Sequence, residues 1–176
     1  SDNDYNFAGR PPLRLDLMIE YNNLNIPVSL INLHMKCCDS GLKRRQKASQ
    51  MLFEYLESEI LDTGYSNFIV LGDWNDDLKD EPDEHCFNPF LEDDKYYFLT
   101  DRIDDDVANA TYPKEPYVSF LDHIMTTTDF IENDLDVDVK TVMIEDYIGG
   151  YEVYEILMSD HRPVMFSIPF SKLANY

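Results

Sequence analysis

The stretch Val70-Leu71-Gly72-Asp73-Trp74-Asn75 runs apolar and then ends on an acid and an amide two residues apart. If the chain stays extended over that distance, both side chains leave one strand end toward the same face. An aspartate there can orient or deprotonate a water, and a neutral amide can hold a phosphate oxygen without repelling it. Taken alone, the pair is equally well a polar turn closing a buried strand. A second point is Met158-Ser159-Asp160-His161-Arg162-Pro163. The Asp160 carboxylate suits a hard cation such as Mg²⁺ or Ca²⁺, and the adjacent imidazole of His161 can exchange a proton with an attacking water. Its bland counterpart is an ordinary surface corner. The third is Phe120-Leu121-Asp122-His123-Ile124, where apolar flanks make an unpaired acid costly. Asp122 is therefore the natural carboxylate to fix the tautomer of His161 and raise its basicity.

His34 ends Ile31-Asn32-Leu33-His34 and is either a phosphate contact or a capped core histidine. Lys43, Arg44, Arg45 and Lys47 form the basic concentration of the chain, at the amino end of a predicted helix where backbone dipoles disfavour cations. They read as a phosphate-facing patch near His34 or, with equal weight, as a solvated helix face. Carboxylates, an amide and imidazoles at four strand ends are the equipment of a metal-assisted phosphoesterase.

The elements that must hold these groups alternate between α and β. Residues 15–21 make a strand, Asn22 to Asn25 a break, and residues 28–33 its hairpin partner, with Pro27 at the strand entrance. Ala48, Met51, Leu52, Tyr55, Leu56 and Ile60 recur at helical spacing, so residues 42–61 form a helix that Gly64 stops. Residues 68–71 are a short buried strand, and the helix feeding it signals a βαβ unit. Residues 76–116, with acidic clusters and Pro82, Pro89, Pro113 and Pro116, read as long surface loops with short helical pieces. Structure resumes over 118–126, near 137–144 and over 163–168, and Gly149-Gly150 marks a turn. The acid clusters Asp76-Asp77, Asp80-Glu81 and Asp104-Asp105-Asp106 lack the ligand spacing and glycine of an EF-hand and read as solvated loop.

A chain of 176 residues, without repeat or linker, is expected to be one domain over 1–176. Its 35 acids against 14 bases give a formal net charge of -21. Such a surface repels phosphate backbones, which argues against gripping long DNA through many phosphates and asks for bound cations or a local positive patch. Three cysteines make neither a disulfide scaffold nor a zinc site. Cys37 and Cys38 are adjacent, which disfavours a mutual bond, and either is a candidate partner for Cys86. No apolar run reaches membrane-spanning length. The compartment stays open, with acidity and a small lysine complement leaning toward an exported bacterial enzyme.

These four ordered motifs, spanning nearly the whole chain, resemble the carboxyl-terminal half of the endonuclease/exonuclease/phosphatase family, the deoxyribonuclease I-like fold. The resemblance implies an α/β (α+β) chain forming half of a four-layer α/β/β/α sandwich, mostly one mixed β-sheet with flanking helices. It implies a metal-dependent phosphodiesterase or endonuclease-like hydrolase using Mg²⁺, or Mn²⁺ or Ca²⁺. By that resemblance His34 is the phosphate-contacting histidine and candidate general acid. Asp73 and Asn75 are the water-orienting acid and phosphate-binding amide, Asp122 the carboxylate behind the catalytic His161, and Asp160 the metal ligand. Arg10, in Gly9-Arg10-Pro11-Pro12, resembles the arginine before the first central strand, and Lys43 and Arg44 join it as phosphate-binding candidates.

The family's amino-terminal half, with its metal-binding glutamate and first-strand asparagine, has no counterpart here. The expectation is a fragment, inactive by itself, of a parent enzyme acting on a phosphoester that includes nucleic acid, a lipid headgroup or an inositol phosphate. A sheet face left bare should associate with the missing amino-terminal half or with a second copy. The alternatives are a non-catalytic binding or scaffold domain of the same fold, or a small-molecule or lipid phosphatase.

Overall fold

The computed structural model describes residues 5–21, 23–131 and 137–169. Strands β1 (Leu13–Tyr21) and β2 (Leu24–His34) pair as an antiparallel hairpin, with Leu15 opposite Leu30 and Ile19 opposite Ile26. Helix α1 (Leu42–Thr63) carries the chain back so that β3 (Phe68–Asp73) lies parallel to β2. Gly64, at φ 68°, closes the helix by donating its N–H to the Ile60 carbonyl. Strand β5 (Asp122–Thr127) runs antiparallel to β3, and β4 (Tyr96–Phe98) completes a sheet ordered β1-β2-β3-β5-β4. Strands β6 (Asp138–Thr141) and β7 (Val164–Ser167) form a second, two-stranded sheet.

Alternation along the strands gives the large sheet two apolar faces. On one, Ile31, Leu33, Phe68, Val70 and Met125 pack with Ala48, Leu52 and Leu56 of α1. On the other, Ile26, Val28, Ile69 and Ile124 pack with Val137 and Val139 beside the small sheet. That second face extends along β1 to Leu13, Leu15 and Leu17, which are 68%, 53% and 39% exposed. The layers are thus helix, five-stranded mixed sheet and small sheet, an α/β fold with part of one face bare.

Three sequence expectations need correcting. Pro27 lies inside β2 rather than at its entrance. The Ser29 N–H donates to the Asn67 carbonyl on the β3 side. Pro27, two residues earlier, would aim the same way, beyond the first β2–β3 pair at Ser29 and Phe68, so its missing donor removes no rung. Residues 76–116 hold the expected loops and short helical pieces, among them α2 (Asn88–Leu91), but are not confined to the surface: Cys86, Phe87, Phe90, Phe98 and Leu99 are core, and the segment contains β4. Aromatics, not regular periodicity, bury this stretch. Trp74 explains how, its ring centroid lying 5.5 Å from those of Phe87 and Phe98 and 5.9 Å from that of Phe90. Asp76 and Asp104 are buried rather than solvated. Arg45 pairs with the first and Lys79 with the second at 3.1 Å.

At Gly72 φ is 133° and an added Cβ would stand 2.0 Å from the Leu33 carbonyl oxygen. Gly72→Ala should cost about 3 kcal/mol or more of unfolding free energy, read from urea midpoints. Gly64→Ala, with φ 68° but nothing within 4 Å of its Cβ, should cost only about 1 kcal/mol. Equal losses would show that the β2–β3 approach is not the constraint.

Candidate active site

Register alone assembles three of the site residues. His34, the last residue of β2, is paired with Asp73, the last of parallel β3, and Asp73 is paired with Asp122, the first of antiparallel β5. Residues directly opposite one another share a face. The row His34, Asp73, Asp122 therefore lies at one end of the sheet, on the face turned to the small sheet. The row is fixed by main-chain bonds continuing past the strands: the Met35 N–H donates to the Asp73 carbonyl at 2.8 Å, and the Trp74 N–H to the Leu121 carbonyl at 3.0 Å.

His161 arrives from the loop between helix α4 (Tyr151–Leu157), which follows the short α3 (Glu145–Ile148), and strand β7. That loop is clamped from several sides. The Arg162 N–H donates to the Thr111 carbonyl at 2.7 Å, while its guanidinium meets Glu145 at 2.5 Å and the Ala110 carbonyl at 3.1 Å. The Tyr154 hydroxyl donates to the His161 carbonyl at 2.7 Å, and the Tyr151 hydroxyl to that of Asp160 at 2.6 Å. Thr111 also accepts the N–H groups of Leu121 and Asp122 on its hydroxyl, at 2.9 and 3.1 Å. One threonine thus locks the histidine loop to the start of β5.

The resulting geometry couples an imidazole to a carboxylate. His161 Nδ1 lies 2.6 Å from Asp122 Oδ2, and Tyr112 packs its ring 5.3 Å from the imidazole. Burial opposes the charged imidazole, but the hydrogen bond to Asp122 and the charges of Asp122, Asp73 and Asp160 outweigh it and raise His161. Asp73 is pushed up to about 6 by burial and then by the neighbouring Asp122 charge. Its Oδ2 lies 3.3 Å from His34 Nε2, and its Oδ1 accepts the Asn75 N–H at 2.9 Å. Burial, then Arg10 and His161, hold His34 below the ordinary histidine value. Among the described residues, Asp73, Asp122 and His161 each offer a ligand atom within 4.8 Å of the others. A cavity of about 400 Å³, lined in part by Gly72, Asp122 and Pro163, opens between the two sheets beside them.

The structure brings Arg10 and Asn75 to the same place. Arg10 Nη1 lies 3.0 Å from both ring nitrogens of His34, and its Nη2 donates to the Met35 carbonyl at 3.0 Å. The Asn75 side-chain amide donates to that same carbonyl at 3.3 Å. Asn75 does not continue an extended strand, as the spacing suggested. At φ 57° it turns back on an Asx-type bond to Asp73. The Asp160 carboxylate is exposed and outside the group of three, acting on His34 and His161 only through space. Arg44 is turned to the Tyr5 carbonyl and ring, and Arg45 is buried with Asp76, which leaves Lys43 and Lys47 as the exposed members of that basic run.

His123, next to Asp122, faces the opposite side of β5 and is fully buried. Its Nδ1 lies 3.0 Å from the Thr100 hydroxyl and its Nε2 3.1 Å from the carbonyls of Asp76 and Phe120, and burial lowers it to about 4. It is a neutral strut that ties three loops together. Thr111, Tyr112 and Glu145 escaped the sequence reading because they touch the site only through tertiary contacts. No spacing within their own segments marks them.

No family model matches the chain, and no curated protein matches it by sequence. Solved structures do match by shape. The human Nocturnin catalytic domain with bound sulfate has a TM-score of 0.53 at 15% identity, over 89% of this chain and 53% of that one. Staphylococcus aureus beta toxin gives 0.53 at 16% identity, over 90% and 57%. D. rerio TDP2 complexed with a single-strand DNA product gives 0.51 at 14% identity, over 88% and 61%. The chain therefore spans little more than half the length of these structures. At such identities the likeness establishes a shared α/β fold and nothing beyond it.

Proposed function

We propose that this chain carries the carboxyl-terminal part of the catalytic centre of a metal-dependent phosphoester hydrolase of nuclease or phosphodiesterase type. The observation that carries the reading is the convergence of Asp73, Asp122 and His161 donors within 4.8 Å, with His34 3.3 Å from Asp73. The donor set fits a divalent cation: two carboxylates and an imidazole are oxygen-rich, and Asp73 is raised first by burial and then by the facing Asp122 charge, which a bound cation would offset. Asp73 and Asp122 would hold the ion, and Asp160, outside that cluster, would add negative charge nearby. Bound there, Mg²⁺, Mn²⁺ or Ca²⁺ supplies positive charge to the developing oxyanion and leaving oxygen.

The remaining roles follow from the residues. Asp122, accepting from Nδ1, sets the tautomer of His161 and leaves Nε2 to face a phosphate oxygen or give up a proton. Asp73, beside the ion, orients the attacking water through its carboxylate. His34, together with Arg10 and Asn75, binds phosphate oxygens. Water attacks phosphorus in line with no covalent enzyme intermediate. In the full-length parent, His161→Ala should lower hydrolysis of bis-p-nitrophenyl phosphate by orders of magnitude with an unchanged circular-dichroism melt. Near-normal turnover in that variant would refute the assignment, and activity confined to inositol phosphates in a panel with DNA and RNA would refute the nuclease type.

Proton linkage tests the metal reading on this chain alone. A carboxyl whose folded pKa is raised favours folding while protonated; from an ordinary 3.8 and a folded value of about 6, that contribution is complete below about pH 4 and lost as pH rises through 6. In chelator, Asp73→Asn should match the native chain near pH 4 and exceed it by roughly 1–3 kcal/mol at pH 7. Millimolar Mg²⁺ should raise the native urea midpoint and leave that of Asp73→Asn nearly still. Equal stabilisation of both chains would remove Asp73 from the metal site.

The bare part of the sheet face, with Leu13, Leu15 and Leu17 exposed, supports association with the rest of the parent or, for this chain alone, with a second copy. Burying such surface recovers roughly 25 cal/mol per Å². Light scattering after size exclusion should show a dimer, and Leu15→Lys with Leu17→Lys a monomer. A monomer before substitution would count against the association.

A further inference from the structure

We propose that Cys37 and Cys38 are a dithiol modification site, oxidised to a disulfide with each other by a low-molecular-weight disulfide. Adjacency in sequence disfavours such a bond, but the structure brings the two Sγ atoms to 2.9 Å. The backbone is what turns them together: Cys38 sits at φ 69°, and Arg45 Nη1 donates to the carbonyls of both Lys36 and Cys38 at 2.8 Å, clamping the corner on either side. Cys37 is half-buried and Cys38 exposed, so a small reagent reaches both. The Lys36 ammonium stands 3.2 Å from Cys37 Sγ. The hydrogen bond from Cys38 and then the lysine hold the Cys37 thiol below its ordinary value, while Cys38 is raised by its partner. Cys37 is therefore the attacking sulfur and Cys38 the resolving one.

Cys86 is excluded from this chemistry. It is buried with its sulfur 3.9 Å from Met35 Sδ, and burial raises its thiol well above the usual range. Adjacent Cα atoms are about 3.8 Å apart, below the roughly 4.4–6.8 Å usual for a disulfide, so the ring formed is strained and readily reduced. The site is then reversible rather than a structural staple.

The step balances as two exchanges. The Cys37 thiolate attacks one sulfur of the reagent, whose S–S bond breaks and releases a thiolate that takes up a proton. Cys38, losing its proton, then attacks the Cys37 sulfur of the mixed disulfide and expels the second thiolate. Two electrons and two protons pass from the pair to the reagent, which ends as two thiols.

Tryptic peptides separate the outcomes, because cleavage at Lys36 and Lys43 leaves both cysteines on residues 37–43, and Cys86 lies on residues 80–95. The folded 176-residue chain would be incubated with oxidised glutathione, quenched in acid, alkylated under denaturing conditions and digested. The expected peptide 37–43 is unalkylated and lighter than the dithiol by two hydrogen atoms, with Cys86 alkylated, and reduction restores two alkylatable sulfurs. Alkylation of both Cys37 and Cys38, retention of glutathione on the peptide, or a link between 37–43 and 80–95 would each overturn the proposal. Cys38→Ser should trap glutathione on Cys37, and an unmodified Cys37 in that variant would overturn its role as the attacking sulfur.

Discussion

The site depends on the parallel pairing of β2 and β3 staying closed to its last rung. At Gly72 the two backbones approach so nearly that a methyl group would meet the Leu33 carbonyl at 2.0 Å. Because the rung after it pairs His34 with Asp73, and the antiparallel neighbour places Asp122 beside Asp73, closing this one contact sets three candidate site residues in a row. Glycine is required there by two independent facts, a φ of 133° and the missing space. Trp74 then secures the segment from behind, buried among Phe87, Phe90 and Phe98 on the opposite face. The polar row is thus held by an aromatic core.

The fourth member comes from far along the chain and needs a different device. His161 sits on a loop whose anchors are mainly hydrogen bonds, with Arg162 bridging Glu145 and the 108–111 segment. Buried ion pairs contribute little net stability and more to defining one arrangement. That suits a residue whose task is to keep Nδ1 at 2.6 Å from Asp122. The precision of the dyad therefore belongs to Thr111, Tyr154 and Arg162 as much as to the two residues that form it.

Much of this was legible in the sequence, and the reasons are local. The hairpin, the long helix and its stop at Gly64, and the buried strand before Asp73 follow from alternation, helical spacing and turn residues, and the structure has them within a few residues. The row of acids and imidazoles was legible because strand ends were. What was not legible is tertiary: the burial of residues 76–116 rests on aromatic contacts without a period, and nothing near Asp76 announces Arg45 as its partner. The basic run at 43–47 illustrates the same limit. Composition marked it as one patch, yet Arg44 and Arg45 face different partners, one a terminal segment and one the core.

That dispersal of the basic residues bears on how so acidic a chain would meet the anionic substrate proposed for it. With a net charge of -21, the protein repels phosphate at a distance. Its cations are largely committed, Arg14 to Asp16 and Glu59, Lys79 to Asp101 and Asp104, Lys95 to Glu57, Lys114 to Glu155 and Arg162 to Glu145. At the site Arg10 is directed to the His34 ring and the Met35 carbonyl, with no carboxylate partner among the described residues. Among the described residues, two clustered carboxylates beside Arg10 would not by themselves attract the phosphoester proposed as substrate. A divalent cation would reverse the sign of the local field, so under the proposed function the metal would serve substrate capture as well as chemistry.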